Sequence, residues 1–166
     1  MPLVDAIREE FDSEAPVTRR VLARVPLDRR EWKPHPKSME LGRLAAWMAN
    51  APGWTASVLF DDTVEASTWT PFPAPEKSAE LLATFDAGVE SARSAMARLD
   101  DAVARGNWSF VFQGKPMLTL PRLGFLRLFL LSDAIHHRGQ MSVFLRLLDV
   151  PVPSIYGPSA DEQGPG

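Results

Sequence analysis

A chain of 166 residues, 45% hydrophobic and 23% charged, is long enough for one domain with its own core and too apolar for a disordered segment. Its net charge of −3 and the absence of any long Lys/Arg block leave no basic face for nucleic acid, since Arg19-Arg20 and Arg29-Arg30 are only pairs. With no cysteine, the chain has no disulfide, no thiolate metal site and no sulfur nucleophile.

The first residues, Met1-Pro2-Leu3-Val4-Asp5, carry neither a basic n-region nor an apolar h-region, so no signal peptide is expected. The richest apolar run, Leu120 to Leu131, contains Arg122 and Arg127 and is too short for a bilayer span. These features predict a cytoplasmic protein with no membrane partner.

In chain order, a first helix is predicted from Leu3 to Val25, with Ile7, Phe11, Val21 and Val25 on one stripe. Pro16 inside it removes a backbone bond and predicts a kink or break near Glu14-Ala15. Glu14 falls on the apolar stripe, where it either lines a pocket or is turned outward by the kink. A proline-rich connection from Pro26 to Pro36 includes Trp32-Lys33-Pro34-His35-Pro36 and resists helix formation. Ser38 is the predicted cap of a second helix built on Leu41, Leu44, Ala45 and Met48, with Trp47, Ala51 and Trp54 on an adjacent stripe. Pro52-Gly53 is expected to distort this helix, and Asp61 to Glu76 reads as a long loop.

The third helix is the clearest. Leu82, Phe85, Val89, Ala92, Met96, Leu99 and Val103 recur at steps of three and four, with Ser78 as cap and Gly106-Asn107 as terminator. Trp108, Phe110 and Phe112 then alternate as in a strand, and Gln113-Gly114-Lys115 supplies a turn for a short hairpin. Pro121 suits the first position of a fourth helix reaching Leu148. The predicted architecture is an all-α four-helix bundle with a hairpin-like insert between the third and fourth helices. It forms a single domain over 1–158, followed by a mobile polar tail from Ser159 to Gly166.

Two of the three histidines fall in Asp133-Ala134-Ile135-His136-His137-Arg138-Gly139-Gln140. Asp133 and His137 are four apart and share a helix face, so they can either offer two corners of a metal site or bond to each other. His136 points about 100° away and cannot share that face. Arg138 and Gln140 are placed either to hold a substrate anion or to tie down the Tyr156-Gly157-Pro158 segment. His35, between two prolines, reads as a loop histidine. Trp32, Trp54 and Trp108 read as core or loop anchors, with an aromatic pocket or dimer face as the other reading.

His136-His137-Arg138-Gly139-Gln140, followed by Leu145-Arg146-Leu147-Leu148 and by Tyr156-Gly157-Pro158-Ser159-Ala160-Asp161-Glu162, resembles the C-terminal signature of the DinB/YfiT-like four-helix bundle superfamily. Trp32-Lys33-Pro34-His35-Pro36 through Leu41-Gly42 resembles the segment opening its second helix. The resemblance implies a homodimer and a nickel or zinc site of three histidines, one from the second helix and two at i and i+4 of the fourth. The metal would activate water or a thiol in transferase or isomerase chemistry. Carried over to this sequence, the three positions hold Trp47, Asp133 and His137, so only His137 matches. Indole cannot ligate, because its nitrogen is a donor only.

Two functional expectations follow from that departure. One is a degenerate site without metal catalysis, in a protein that binds a small ligand or serves as a structural homodimer. The other is a divalent-metal-dependent S-transferase or hydrolase acting on small electrophiles through Asp133 and His137, completed by water or by Glu14. No G-x-S-x-G, G-x-G-x-x-G or phosphate-loop motif supports a serine hydrolase or a nucleotide cofactor.

Overall fold

The computed structural model describes residues 3–163. Helix α1 (Leu3–Leu22) runs unbroken through Pro16, against the expected break. Its buried Ile7, Phe11 and Ala15 before the proline and Val21 and Leu22 after it pack into one core, so both halves are anchored. Bonds from Arg19 to Asp86 (2.7 and 2.8 Å) and from Arg93 to Asp12 (2.7 Å) run along the outside of that packing.

Helix α2 (Leu41–Val58) also continues through its proline, Pro52. Ser38 is not its cap. The amides of Leu41 and Gly42 donate instead to the carbonyls of Trp32 and Arg30 (2.8 Å each), so the preceding loop supplies the acceptors. Gly42 permits this approach, because a Cβ there would stand 2.7 Å from Arg30 Cβ.

Helix α3 (Ser78–Ala97) begins at Ser78 with Lys77 in the cap position, and it ends earlier than the periodicity suggests. Asp100 interrupts the pattern by accepting the Val103 amide (2.8 Å), which starts a separate short helix, α4 (Asp101–Arg105). Val103 is thereby turned to solvent rather than into the core.

The architecture is not purely α-helical. Strands β1 (Thr63–Glu65), β2 (Asn107–Phe112) and β3 (Lys115–Pro121) form a sheet in that order, β1 parallel and β3 antiparallel to β2. The β2–β3 hairpin is the expected one, turning at Gln113 and Gly114 with φ of 50° and 74°. Strand β1 comes from the segment read as loop. It completes the open edge of β2, and its Glu65 carboxylate accepts the amides of Gln113 (3.0 Å), Gly114 (3.1 Å) and Ser67 (2.9 Å). The Ser67 hydroxyl and these amides hold the Glu65 carboxyl down at about 2.

Buried Arg122 pins sheet to bundle by donating to the carbonyls of Leu59 (2.9 Å) and Asp61 (2.9 Å), just past the C-terminus of α2, and of Asn107 (2.9 Å), the first residue of β2. Pro121 ends β3 and occupies the cap position, not the first helical one. Helix α5 (Arg122–Phe125) passes through a π-helical segment, Leu126–Ser132, into α6 (Asp133–Leu147).

The segment read as a mobile tail is tied to the helices as far as Glu162. Ser159 Oγ donates to Val152 O (2.7 Å), Asp161 pairs with Arg146 (2.5 Å), and Glu162 accepts from Arg24 (2.9 Å) and from the Ser154 amide (2.8 Å). These polar residues bridge the ends of α1 and α6. The end of the predicted tail, 164–166, lies outside the described residues.

Candidate functional site: a Trp47–Asp133–His137 network

Asp133 is the first residue beyond the π-helical segment, and His137 stands one turn later on the same face. His137 Nε2 lies 3.3 Å from Asp133 Oδ1, and the pair is largely enclosed. The second carboxylate oxygen is taken by a residue from another helix: Trp47 Nε1 donates to Asp133 Oδ2 at 2.6 Å. On the outer side, His137 Nδ1 is 2.8 Å from Gln140 Oε1. Burial disfavours the imidazolium, but the bonds to Asp133 and Gln140 together with the Asp133 charge outweigh it, and the His137 pKa lies above its ordinary value.

A second polar group adjoins the first. Arg138, 1% exposed, points away from His137 and donates to the Glu14 carboxylate and carbonyl, to Thr18 Oγ1 (3.1 Å) and to the Tyr156 hydroxyl. Tyr156 in turn donates to Glu14 (3.0 Å). Glu14 is therefore turned inward, and Arg138 ties down the Tyr156 segment rather than waiting for a substrate anion. Glu14, Thr18, Asp133 and His137 share one cavity with Phe11, Met48 and Phe85. Its free volume is about 20 Å³, the space of a water rather than of a substrate.

The donor set does not fit a three-ligand transition-metal site. His137 and Asp133 supply one imidazole and one carboxylate, Trp47 adds a donor where a lone pair is required, and Glu14 is engaged by Arg138 and Tyr156. Among the described residues no three His, Asp or Glu side chains are grouped to hold an ion. His136 is solvent-exposed with its ring edge-on to His137 at 5.0 Å, and His35 accepts the Lys37 amide (3.1 Å) in its loop, so neither adds a third ligand to the Asp133–His137 pair.

Trp47 is also the centre of an aromatic cluster. Its ring lies 6.4 Å from Trp54, 5.7 Å from Trp69, 6.0 Å from Phe72 and 6.2 Å from His137. Trp54 touches Phe125 and Phe129, while Trp108 is fully buried on Phe125 at 4.2 Å, so these two act as anchors.

The family model described as the DinB family matches residues 3–164. The chain belongs to the DinB family. Its fold matches a DinB-like protein from Bacillus cereus ATCC 10987 at TM-score 0.71, with 21% identity over 92% of this chain and 97% of that one. A DinB-like protein, YjoA, from Bacillus subtilis matches at TM-score 0.66, with 18% identity over 95% and 98%. The uncharacterized protein YrdA of Bacillus subtilis strain 168 is 49% identical over 39 residues, a stretch that spans 24% of this chain and 23% of that protein.

For this DinB-family chain, sequence reasoning located Asp133, His137 and Trp47 but not the bond between Trp47 and Asp133. It held the tie between Arg138 and the Tyr156 segment as one of two alternatives, and it left the roles of Thr18, Trp69 and Phe72 unread. Glu14 on an apolar stripe was the one signal for the Arg138 pair. No periodicity marks Trp69 and Phe72, which reach Trp47 from a segment outside the helices. Among the described residues no helix is long and apolar enough to cross a membrane.

Proposed function

We propose that this DinB-family protein lacks metal-dependent catalysis at the three-histidine position and acts as a non-catalytic homodimer that binds a small ligand or plays a structural part. One observation carries this reading: the Trp47 indole donates at 2.6 Å to the carboxylate that would otherwise face an ion. The bond occupies one oxygen of Asp133, His137 stands against the other, and the remaining space is water-sized. Indole at a ligand position removes both a lone pair and the room for a cation. Self-association has a candidate surface on α6, where Val143 and Leu147 are each 56% exposed.

Elemental analysis of tag-free protein tests the reading. The expected result is no stoichiometric nickel or zinc in the wild type. Stoichiometric metal that disappears in His137→Ala would instead establish the metal-dependent transferase or hydrolase. The paired substitution Trp47→His with Asp133→His is expected to create metal affinity, and its failure to do so would misplace the site.

A further inference from the structure

Arg43 lies on α2 one turn before Trp47, and the i, i+4 spacing puts the two side chains on one face. It is exposed, and its guanidinium has no hydrogen-bond or ion-pair partner among the described residues. Arg19, Arg93, Arg127 and Arg146 are each paired with a carboxylate, while exposed Arg29 and Arg105, like Arg43, have no such partner among the described residues. What sets Arg43 apart is its place on the rim of a cleft formed by Met39, Trp47, Trp69, Pro71 and Phe72. Met39 and Trp69 at its rim are 42% and 40% exposed.

One wall of this cleft is the chain's own Phe72. Its phenyl ring packs 6.0 Å from Trp47 and 6.0 Å from Trp69, edge-on to the latter, and it leaves only about 30 Å³ free. Phe72 is half-buried and sits in a connection, 69–77, with no helix or strand to fix it. Its other side faces a solvent-open groove of about 350 Å³ beside Trp54, Ser57 and Thr84. Two indoles thus already pack a phenyl ring that closes the cleft, a wider space lies on that ring's other side, and a cation stands unpaired at the mouth.

We propose that the Trp47–Trp69 cleft is a binding site for a one-ring aromatic carboxylate, whose ring replaces that of Phe72 and whose carboxylate pairs with Arg43. Phe72 moves into the adjoining groove when the ligand enters. The nearby carboxylates do not oppose an anion: Glu40 is paired with Lys33 (3.5 Å), and Asp133 lies across the Trp47 ring bonded to its Nε1. The limited volume restricts the ligand to a single ring, since larger ligands need roughly 300–1,000 Å³. A planar guanidinium suits a carboxylate, which it engages through two parallel bonds. This inference deepens the ligand-binding half of the proposed function. Metal content decides that reading separately from the titrations below.

Calorimetric titration of the full chain with benzoate, benzyl alcohol and benzylamine tests the site. Benzoate is expected to bind saturably and about tenfold more tightly than benzyl alcohol, as one guanidinium–carboxylate pair would give. Benzylamine is expected to bind more weakly than either. Arg43→Gln, at an exposed position that does not threaten folding, should abolish the preference for benzoate. Phe72→Ala should strengthen benzoate binding by removing the internal competitor, with thermal unfolding confirming that the variant is folded. Absence of saturable benzoate binding in both the wild type and Phe72→Ala would overturn the site. Equal affinity for benzoate and benzyl alcohol, or an unchanged preference in Arg43→Gln, would overturn the role of Arg43. Weaker benzoate binding in Phe72→Ala would show that Phe72 is a wall and not a stand-in.

Discussion

Replacing Trp47 by phenylalanine removes one N–H and keeps a ring at the centre of the aromatic cluster. The lost bond is a 2.6 Å contact from a neutral donor to a carboxylate, and such bonds contribute about 1.5–3 kcal/mol. Asp133 is 24% exposed, so water replaces part of the loss and the lower end, about 1.5 kcal/mol, applies. For a chain of this size that corresponds to a fall of about 3–6 °C in Tm. Urea unfolding followed by circular dichroism should show a lower midpoint with an unchanged slope. The smaller ring also loses packing, so a double-mutant cycle with Asp133→Ala, which leaves no acceptor, is needed to isolate the bond. A coupling of about 1 kcal/mol is expected between the two sites. If the two substitutions were additive, Trp47 would not be holding Asp133, and the account of the closed metal corner would fail with it.

The same network predicts a pH dependence. The folded-state pKa of His137 is raised, so its contribution to stability is complete below the ordinary value of 6.5 and fades as pH rises through the folded value. Nuclear magnetic resonance titration of the ring should give a raised midpoint that drops in Asp133→Asn. Glu65 has the opposite sign: its pKa is lowered to about 2, so its contribution is present above its ordinary value of 4.5 and is lost as pH falls toward 2. Glu65→Gln should accelerate amide exchange at Gln113 and Gly114 near neutrality, and unchanged exchange would show that the turn holds without the carboxylate. Arg138→Leu leaves Glu14 partly buried with only Tyr156 as partner and should cost about 3–5 kcal/mol. Faster proteolysis around Tyr156 should accompany that loss, and an unaltered cleavage pattern would show that the Tyr156 segment is held without the arginine. Gly88→Ala would place a methyl 2.9 Å from the Gly53 amide nitrogen, where backbone must yield, and should cost about 1–3 kcal/mol. An unchanged unfolding midpoint in that variant would mean that α2 and α3 separate without penalty.

Much of the architecture was legible in the residues because helices announce themselves by local period. The α3 stripe through Phe85, Val89, Ala92 and Met96 is buried as the spacing requires, and the Trp108–Phe112 alternation forms the expected hairpin. The errors arose where a local signal competed with a distant one. Pro16 and Pro52 do not break their helices, because core packing on both sides outweighs one missing backbone bond. Ser38 does not cap α2, because the carbonyls of Arg30 and Trp32 arrive first. Strand β1 has three residues and no period of its own to read; only the open edge of β2, 46 positions later, makes it a strand.

The candidate site divides in the same way. Sequence alone determined that Asp133 and His137 share one helix face and that indole stands where the family resemblance implies a third ligand, since helical spacing and side-chain chemistry are local properties. It left open whether Asp133 and His137 hold an ion or each other, whether Glu14 faces in or out, and whether Arg138 waits for an anion. Tertiary structure decided where these side chains point, because each partner comes from another element: Trp47 from α2, Glu14 from α1 and Tyr156 from the strap beyond α6. Hydrogen bonds between residues 18 to 142 positions apart have no periodic signature, and they exist only once packing has brought the helices together.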